Sequence, residues 1–300
     1  MTDPQSRFYE SQGLRLHYAD WGNDTAPPLI LIHGGRDHAR SFDRIARALR
    51  PHFHVLAPDL RGHGDSEWTR GGSYVLPEYV YDLTRLVRLA GASDVTLIGH
   101  SMGGMIALAY AGTYPDKVSR LVVLDGIVVG PHTPKPPAHE GMAKWIVQLD
   151  TLEQREPRTY RTIAEAAAQM SAYNKRLTPE LALHLASHGV RRNADGTYGW
   201  KFDPYQRAMA PHRLWPDDYF ALWSRISCPT LLLTADRSFL SDPRANGVVT
   251  HFRQARTETV AGAGHWLHHD QPEEVLRLVR SFLGLPGDDA HGDAGDSTAT

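Results

Sequence analysis

Cysteine is almost missing. Cys228 is the only one in 300 residues, so no intrachain disulfide can staple the chain, and stability must come from a buried core. Long apolar stretches are also absent. The uninterrupted hydrophobic runs fall far short of the ~20 residues that a membrane-spanning helix needs. Neither sign of charge dominates: 32 Lys and Arg face 34 Asp and Glu, for a formal charge of −2. No strong field therefore draws the chain to nucleic acid or to an anionic membrane. The opening MTDPQSRFYE lacks the charged-then-apolar pattern of a secretion leader. These absences predict a soluble, cytoplasmic protein with no membrane span and no nucleic-acid partner; nothing in the sequence sets its oligomeric state.

What is present is punctuated and regular. Two alternating segments, around 7–11 and 14–21, flank Gln12-Gly13 and predict a hairpin. The compact apolar runs PPLILI, HVLAPDL, DVTLIGH, RLVVLDG and PTLLLTA read as buried strands ending in loops. Helix-like stretches such as SFDRIARALR, LPEYVYDLTRLVRLA and SMGGMIALAYAGTYP separate the first four. Strand and helix in alternation predict an α/β fold whose mainly parallel central sheet is flanked by helices.

After Gly126 the alternation stops. Residues 130–215 begin with the proline-rich PHTPKPPAHEG and continue through helical stretches without a convincing strand. The expected organisation is a core in two parts, 1–129 and 216–285, interrupted by a helical insertion over 130–215. A small, polar tail over 286–300 is expected to be disordered. There is no internal repeat.

Chemistry is concentrated at strand ends. Gly99-His100-Ser101-Met102-Gly103 fits G-x-S-x-G directly after a strand and before a helix, the context that motif requires. Glycines permit the sharp turn that projects Ser101 as a nucleophile, and the Met102 N–H at the helix start faces the charge that would develop. A serine needs a base, and GAGHWLHHD offers His265 in a loop after a strand-like segment. His268 and His269 follow it, but without a convincing carboxylate or cysteine set they read as helix-flanking residues, so no metal is expected. His33-Gly34-Gly35 ends another strand, where the Gly35 N–H is placed to join Met102 as an oxyanion donor. Asp59 and Arg61 in PDLRGHGDS read as structural, held in local bonds.

HGG, PDLRGHGDS, GHSMGG and GAGH, in this order and spacing, resemble the α/β-hydrolase family over about 200 residues. The resemblance implies a cofactor-free serine hydrolase acting on a small-molecule ester or lactone, and it makes the insertion a cap over the active site. Haloalkane dehalogenases and epoxide hydrolases share the fold but put aspartate at the nucleophile position, where this chain has Ser101. The family's usual acid follows the strand after the cap, and there this chain has Ser238. Some members take the acid from the end of the strand before the cap, which here is Asp125; Asp236 and Asp242 are the competitors. In the cap, Trp145 and Trp200, with Trp215 at its end, are candidates for an apolar pocket. Two alternatives accompany this reading: a carbon–carbon bond hydrolase on the same triad, and a non-catalytic small-molecule receptor of the same fold.

Overall fold

The computed structural model describes residues 3–71, 74–128 and 134–286. The expected tail from residue 287 on, and the expected start of the insertion at residue 130, lie outside the described residues. The chain opens as a hairpin: β1 (Gln5–Ser11) and β2 (Leu14–Asp20) are joined by Gln12 and Gly13, with φ of 49° and 76°. Positive φ at both turn residues gives a twist that matches the flanking strands. Then come β3 (Pro28–Ile32), α1 (Asp43–Leu49), β4 (His54–Pro58), α2 (Leu76–Ala90), β5 (Val95–His100), α3 (Met102–Thr113) and β6 (Val118–Leu124). β3 and β5 are buried along their whole length, as strands covered on both faces must be.

The insertion carries α4 (Ala138–Glu153), β7 (Thr159–Tyr160), α5 (Ile163–Tyr173), α6 (Pro179–Gly189), β8 (Val190–Arg192) and β9 (Tyr198–Trp200). Here the expectation of helices alone is corrected. The three short strands form an antiparallel sheet of their own, in the order β7-β9-β8. They are two or three residues long, too short for an alternating pattern, and only the Asn193–Gly196 turn between β8 and β9 announces them. Tyr160, Ala166, Ala182, Ala186 and Val190 give the insertion a small core separate from that of the sheet.

α7 (Pro216–Trp223) returns to the main body, so close to α3 that a Cβ on Gly112 would fall 2.3 Å from the Leu222 carbonyl oxygen. β10 (Thr230–Ala235), β11 (Ala255–Val260), α8 (Leu267–Asp270) and α9 (Pro272–Leu283) complete the chain. The main sheet runs β1-β2-β4-β3-β5-β6-β10-β11, antiparallel through β4 and parallel from there on. Ile30, Leu97 and Leu121 pack with α2 and α3 on one face. Leu29, Leu31 and Ile98 pack with α1 and α9 on the other. Among the described residues no helix is long and apolar enough to cross a membrane.

The loop after β4 is held by charge. Asp59 accepts from His17 Nδ1 at 2.7 Å, from the Ala39 N–H at 2.7 Å and from the Asp65 N–H at 2.9 Å. Arg61, 1% exposed, donates twice to Asp82 and once to Glu78. Burial alone would raise the Asp59 carboxyl, but the hydrogen bond and charge of His17, with further help from His33 and Ala39, hold it well below the usual range. A carboxyl lowered in the folded state adds stability above its unfolded pKa of about 4, and that stability fades as pH falls through the carboxylate range. Asp59→Asn should therefore destabilise the protein by about 3 kcal/mol at neutral pH. In urea titrations the gap between variant and parent should narrow steadily below about pH 4; a gap independent of pH would remove the charge from the explanation.

Candidate active site

β5 ends at His100 and α3 begins at Met102, which leaves Ser101 alone in the turn with φ 51° and ψ −117°. A non-glycine residue held there costs about 1–3 kcal/mol, which the surroundings must offset. They do so by closeness: a Cβ on Gly103 would lie 2.1 Å from the Ile32 carbonyl oxygen, so only glycine lets α3 approach β3. The Ser101 N–H donates to the Leu124 carbonyl at 3.0 Å, and its own carbonyl accepts from the Met105 N–H at 3.2 Å. The turn is thus pinned to β6 on one side and to its own helix on the other.

His265 reaches Ser101 from the loop between β11 and α8. Its Nε2 lies 2.9 Å from Ser101 Oγ, and its Nδ1 lies 2.6 Å from Asp125 Oδ2. A carboxylate only accepts, so Nδ1 carries the proton and Nε2 presents its lone pair to the serine hydroxyl. Asp125 is the first residue after β6 and also has positive φ, 45°. Its N–H donates to the Leu233 carbonyl at 2.7 Å, which ties it to β10, and the residue is 4% exposed.

Ser238 is not idle. Its hydroxyl donates to the same Asp125 Oδ2 at 2.5 Å, while its oxygen accepts from the Leu240 N–H at 3.0 Å. The residue at the family's usual acid position thus supports the carboxylate instead of replacing it. The sequence held one signal for this, a hydroxyl in the loop where a carboxylate is customary. Asp236 is exposed, and among the described residues only its backbone N–H is engaged, with the Val260 carbonyl. Asp242 pairs with Arg244 at 2.6 Å, which holds its carboxyl low. Neither hydrogen-bonds to His265.

Met102 is the first residue of α3, so its N–H has no acceptor within the helix and sits at the positive end of the helix dipole. Gly35 is exposed, and a Cβ there would come 3.9 Å from Met102 Sδ. The loop carrying it is fixed by His33. Its Nε2 accepts from the Leu60 N–H at 3.0 Å, so Nδ1 bears the proton and donates to the Gly34 carbonyl at 2.7 Å. Burial, reinforced by His63, lowers the pKa of His33 to about 3 and keeps its ring neutral.

A cavity of about 2060 Å³ extends from Gly35 and Trp266 into the insertion, where Trp145, Met170, Tyr173 and Trp200 form part of its wall. Trp215 is a correction to the expected pocket. It caps the start of α7, its N–H donates to Asp218, the Arg213 guanidinium covers its ring, and it is not among the lining residues. Phe239, which sequence reasoning passed over, is 73% exposed, with its ring centroid 4.5 Å from that of His265.

The chain matches the α/β-hydrolase fold family over residues 27–272. It is 29% identical to the sn-1-specific diacylglycerol lipase of Mus musculus, covering 87% of this chain and 82% of that one. It is 27% identical to the esterase YbfF of Escherichia coli, covering 85% and 92% respectively. Among solved structures, a hypothetical protein from Pseudomonas aeruginosa superposes with a TM-score of 0.82 at 26% identity, covering 93% of this chain and 99% of that one.

The shared proton between His265 and Asp125 should appear as a far-downfield resonance in the proton NMR spectrum, because the bond is short and buried. Asp125→Asn should remove it, and Ser238→Ala should shift it by taking away the second donor to the same oxygen. Asp236→Asn and Asp242→Asn should leave it in place. Loss of the resonance in either of those two variants would show that the carboxylate facing His265 has been misassigned.

Proposed function

The chain belongs to the α/β-hydrolase family, and on that basis we propose that it is a serine hydrolase cleaving a carboxylic ester or lactone through an acyl-enzyme. The observation that carries the reading is the unbroken sequence of short contacts from Ser101 Oγ through His265 to Asp125. His265 Nε2 takes the serine proton as Oγ attacks the carbonyl carbon. Asp125 holds the ring in the tautomer that can accept it and stabilises the imidazolium that forms. The Met102 and Gly35 N–H groups receive the oxyanion, each contributing ~3 kcal/mol to the barrier reduction in well-studied cases. The imidazolium then protonates the leaving oxygen, and a water activated by His265 releases the acid. These steps call on no cofactor.

Relatives named as a lipase and an esterase support ester chemistry, as does serine at the nucleophile position. Residues 130–215 act in this reading as the cap that shapes the substrate pocket. Within a cavity that also carries many Arg, Asp and Glu side chains, the patch formed by Trp145, Met170, Tyr173 and Trp200 offers a surface for an apolar part of the substrate.

A fluorophosphonate probe should label the protein once, at Ser101, and Ser101→Ala should abolish both labelling and turnover of a chromogenic ester. Probe mapped mainly to another residue would sink the proposal. Asp125→Asn keeps the shape but can trap the wrong His265 tautomer, so kcat should fall by up to ~10⁴. Asp236→Asn and Asp242→Asn should stay within about tenfold of the parent, near 1.4 kcal/mol in barrier. Trp145→Ala and Trp200→Ala should change relative kcat/KM among acyl chains more than they change stability. Uniform losses for every ester, with a large drop in Tm, would return both residues to simple packing.

A further inference from the structure

Next to the proposed triad lies a second set of polar side chains that the hydrolytic steps do not use. His100, the residue before Ser101, has its ring centroid 4.9 Å from that of His265 and 4.6 Å from that of His268. Asp37, in the loop after Gly35, joins His100 and His268: one ligand atom from each of the three lies within 4.8 Å of the other two. Both histidines are deeply buried, at 1% and 3% exposure. Yet among the described residues His100 Nδ1 and both ring nitrogens of His268 have no hydrogen-bond partner.

Counting protons shows what is missing. His100 Nε2 lies 2.9 Å from the His265 carbonyl oxygen, which can only accept, so Nε2 carries the proton. With the proton of the neutral ring on Nε2, Nδ1 presents a lone pair that no donor among the described residues meets. Asp37 is likewise an acceptor, already fixed by the Ser41 hydroxyl at 2.8 Å and the His38 N–H at 2.9 Å, with lone pairs to spare. A neutral His268 ring has one lone pair and one N–H, and neither nitrogen has a partner among the described residues. The Asp37 carboxylate and His100 Nδ1 thus bring acceptors to one point where the single N–H of His268 can satisfy at most one of them, an arrangement that costs free energy unless a cation or a further proton donor sits among them.

We propose that Asp37, His100 and His268 form a binding site for a divalent transition-metal ion of the zinc, nickel or copper type. Two neutral imidazoles and one carboxylate make a donor set suited to borderline metals and poorly suited to magnesium or calcium. The surroundings match such a site. The Ser41 hydroxyl orients Asp37 and in turn lies 3.0 Å from His269 Nε2, which is the kind of outer support that fixes a ligating carboxylate. His268 is stacked on Phe42 with ring centroids 5.2 Å apart. Glycine at position 34 leaves room beside His100, because a Cβ there would lie 2.8 Å from Nδ1. The site adjoins the cavity, which Asp37 lines. A metal on Nδ1 would act on His265 through the Nε2–H bond that His100 makes to its carbonyl. Occupancy should therefore depress hydrolysis, a consequence that rests on the hydrolase reading, whereas the binding itself does not.

Zinc ion is the probe. Calorimetric titration of the metal-free full chain should show one saturable equivalent, and Co²⁺ in its place should give visible absorption typical of nitrogen and oxygen ligation. His268→Phe and Asp37→Asn, each confirmed as folded by circular dichroism and Tm, should weaken binding by more than about 100-fold. His265→Ala should retain the equivalent, because the site does not include that ring. With the parent protein, ester turnover should fall as the equivalent fills and return when a chelator removes it. Absence of the equivalent, its survival in both ligand variants, or its loss in His265→Ala would overturn the site, leaving an ordered water or the triad histidine as the occupant or ligand. A chain that bound the equivalent but turned over no ester would refute the hydrolase reading and leave the metal site standing.

Discussion

One carboxylate oxygen organises the candidate site. Asp125 Oδ2 accepts from His265 Nδ1 at 2.6 Å and from Ser238 Oγ at 2.5 Å, in a position almost closed to water. Either bond alone would leave Asp125 or the ring free to swing; together they fix the carboxylate from two loops on different strands. The orientation passes outward, since the protonated Nδ1 forces a lone pair on Nε2 and that lone pair faces Ser101. A buried charge of this kind is tolerable only while its partners are present, because removing them would leave it out of water with no donor to replace the lost hydration.

Strain is stored beside that oxygen. Ser101 and Asp125 are two of the five described non-glycine residues with positive φ, and Arg36, next to Gly35, is a third. The sheet keeps these turns in place through backbone bonds that cross strand ends, from the Ser101 N–H to Leu124 and from the Asp125 N–H to Leu233. Substitutions at Gly99 or Gly103 would act through this framework, since a Cβ on Gly99 would fall 2.3 Å from the Gly103 carbonyl oxygen. The histidines packed behind it are kept neutral by burial, His33 and His269 down to about 3. Histidine serves there as a rigid ring with fixed donors and acceptors, and its titration near neutral pH is suppressed.

Much of this was legible because two periodicities were clear. Buried strands of Leu, Ile and Val followed by glycine-rich turns gave the α/β order, and Ser101 and His265 stood at turns of that kind. The opening hairpin showed itself through Gln12-Gly13. The small sheet of β7, β8 and β9 did not, because two or three residues carry no period and its pairing is set by a turn and by packing on Ala166, Ala182 and Ala186. Trp215 misled for a related reason: an aromatic residue near the end of an insertion carries no sign of which way it faces, and here Arg213 and the start of α7 claim it. The convergence of Asp37, His100 and His268 was also hidden, since its members lie in three distant segments and only the folded sheet brings them together.

The placement of the carboxylate follows from register. β6 and β10 are neighbours running in the same direction, with Leu124 paired to Leu233, so residues just past their ends emerge at one level of the sheet. A side chain from either loop can therefore reach the same point beside a histidine arriving from beyond β11. Asp125 needs positive φ to turn inward, and its N–H bond to Leu233 holds that turn. Once the acid comes from β6, the β10 loop no longer needs a charge. A second carboxylate would repel the first across a few ångströms of low-dielectric interior. A hydroxyl is the replacement that adds a donor without adding charge, and Ser238 is that residue. Serine after β10 and aspartate after β6 are thus two halves of one solution, linked by the 2.5 Å bond between them.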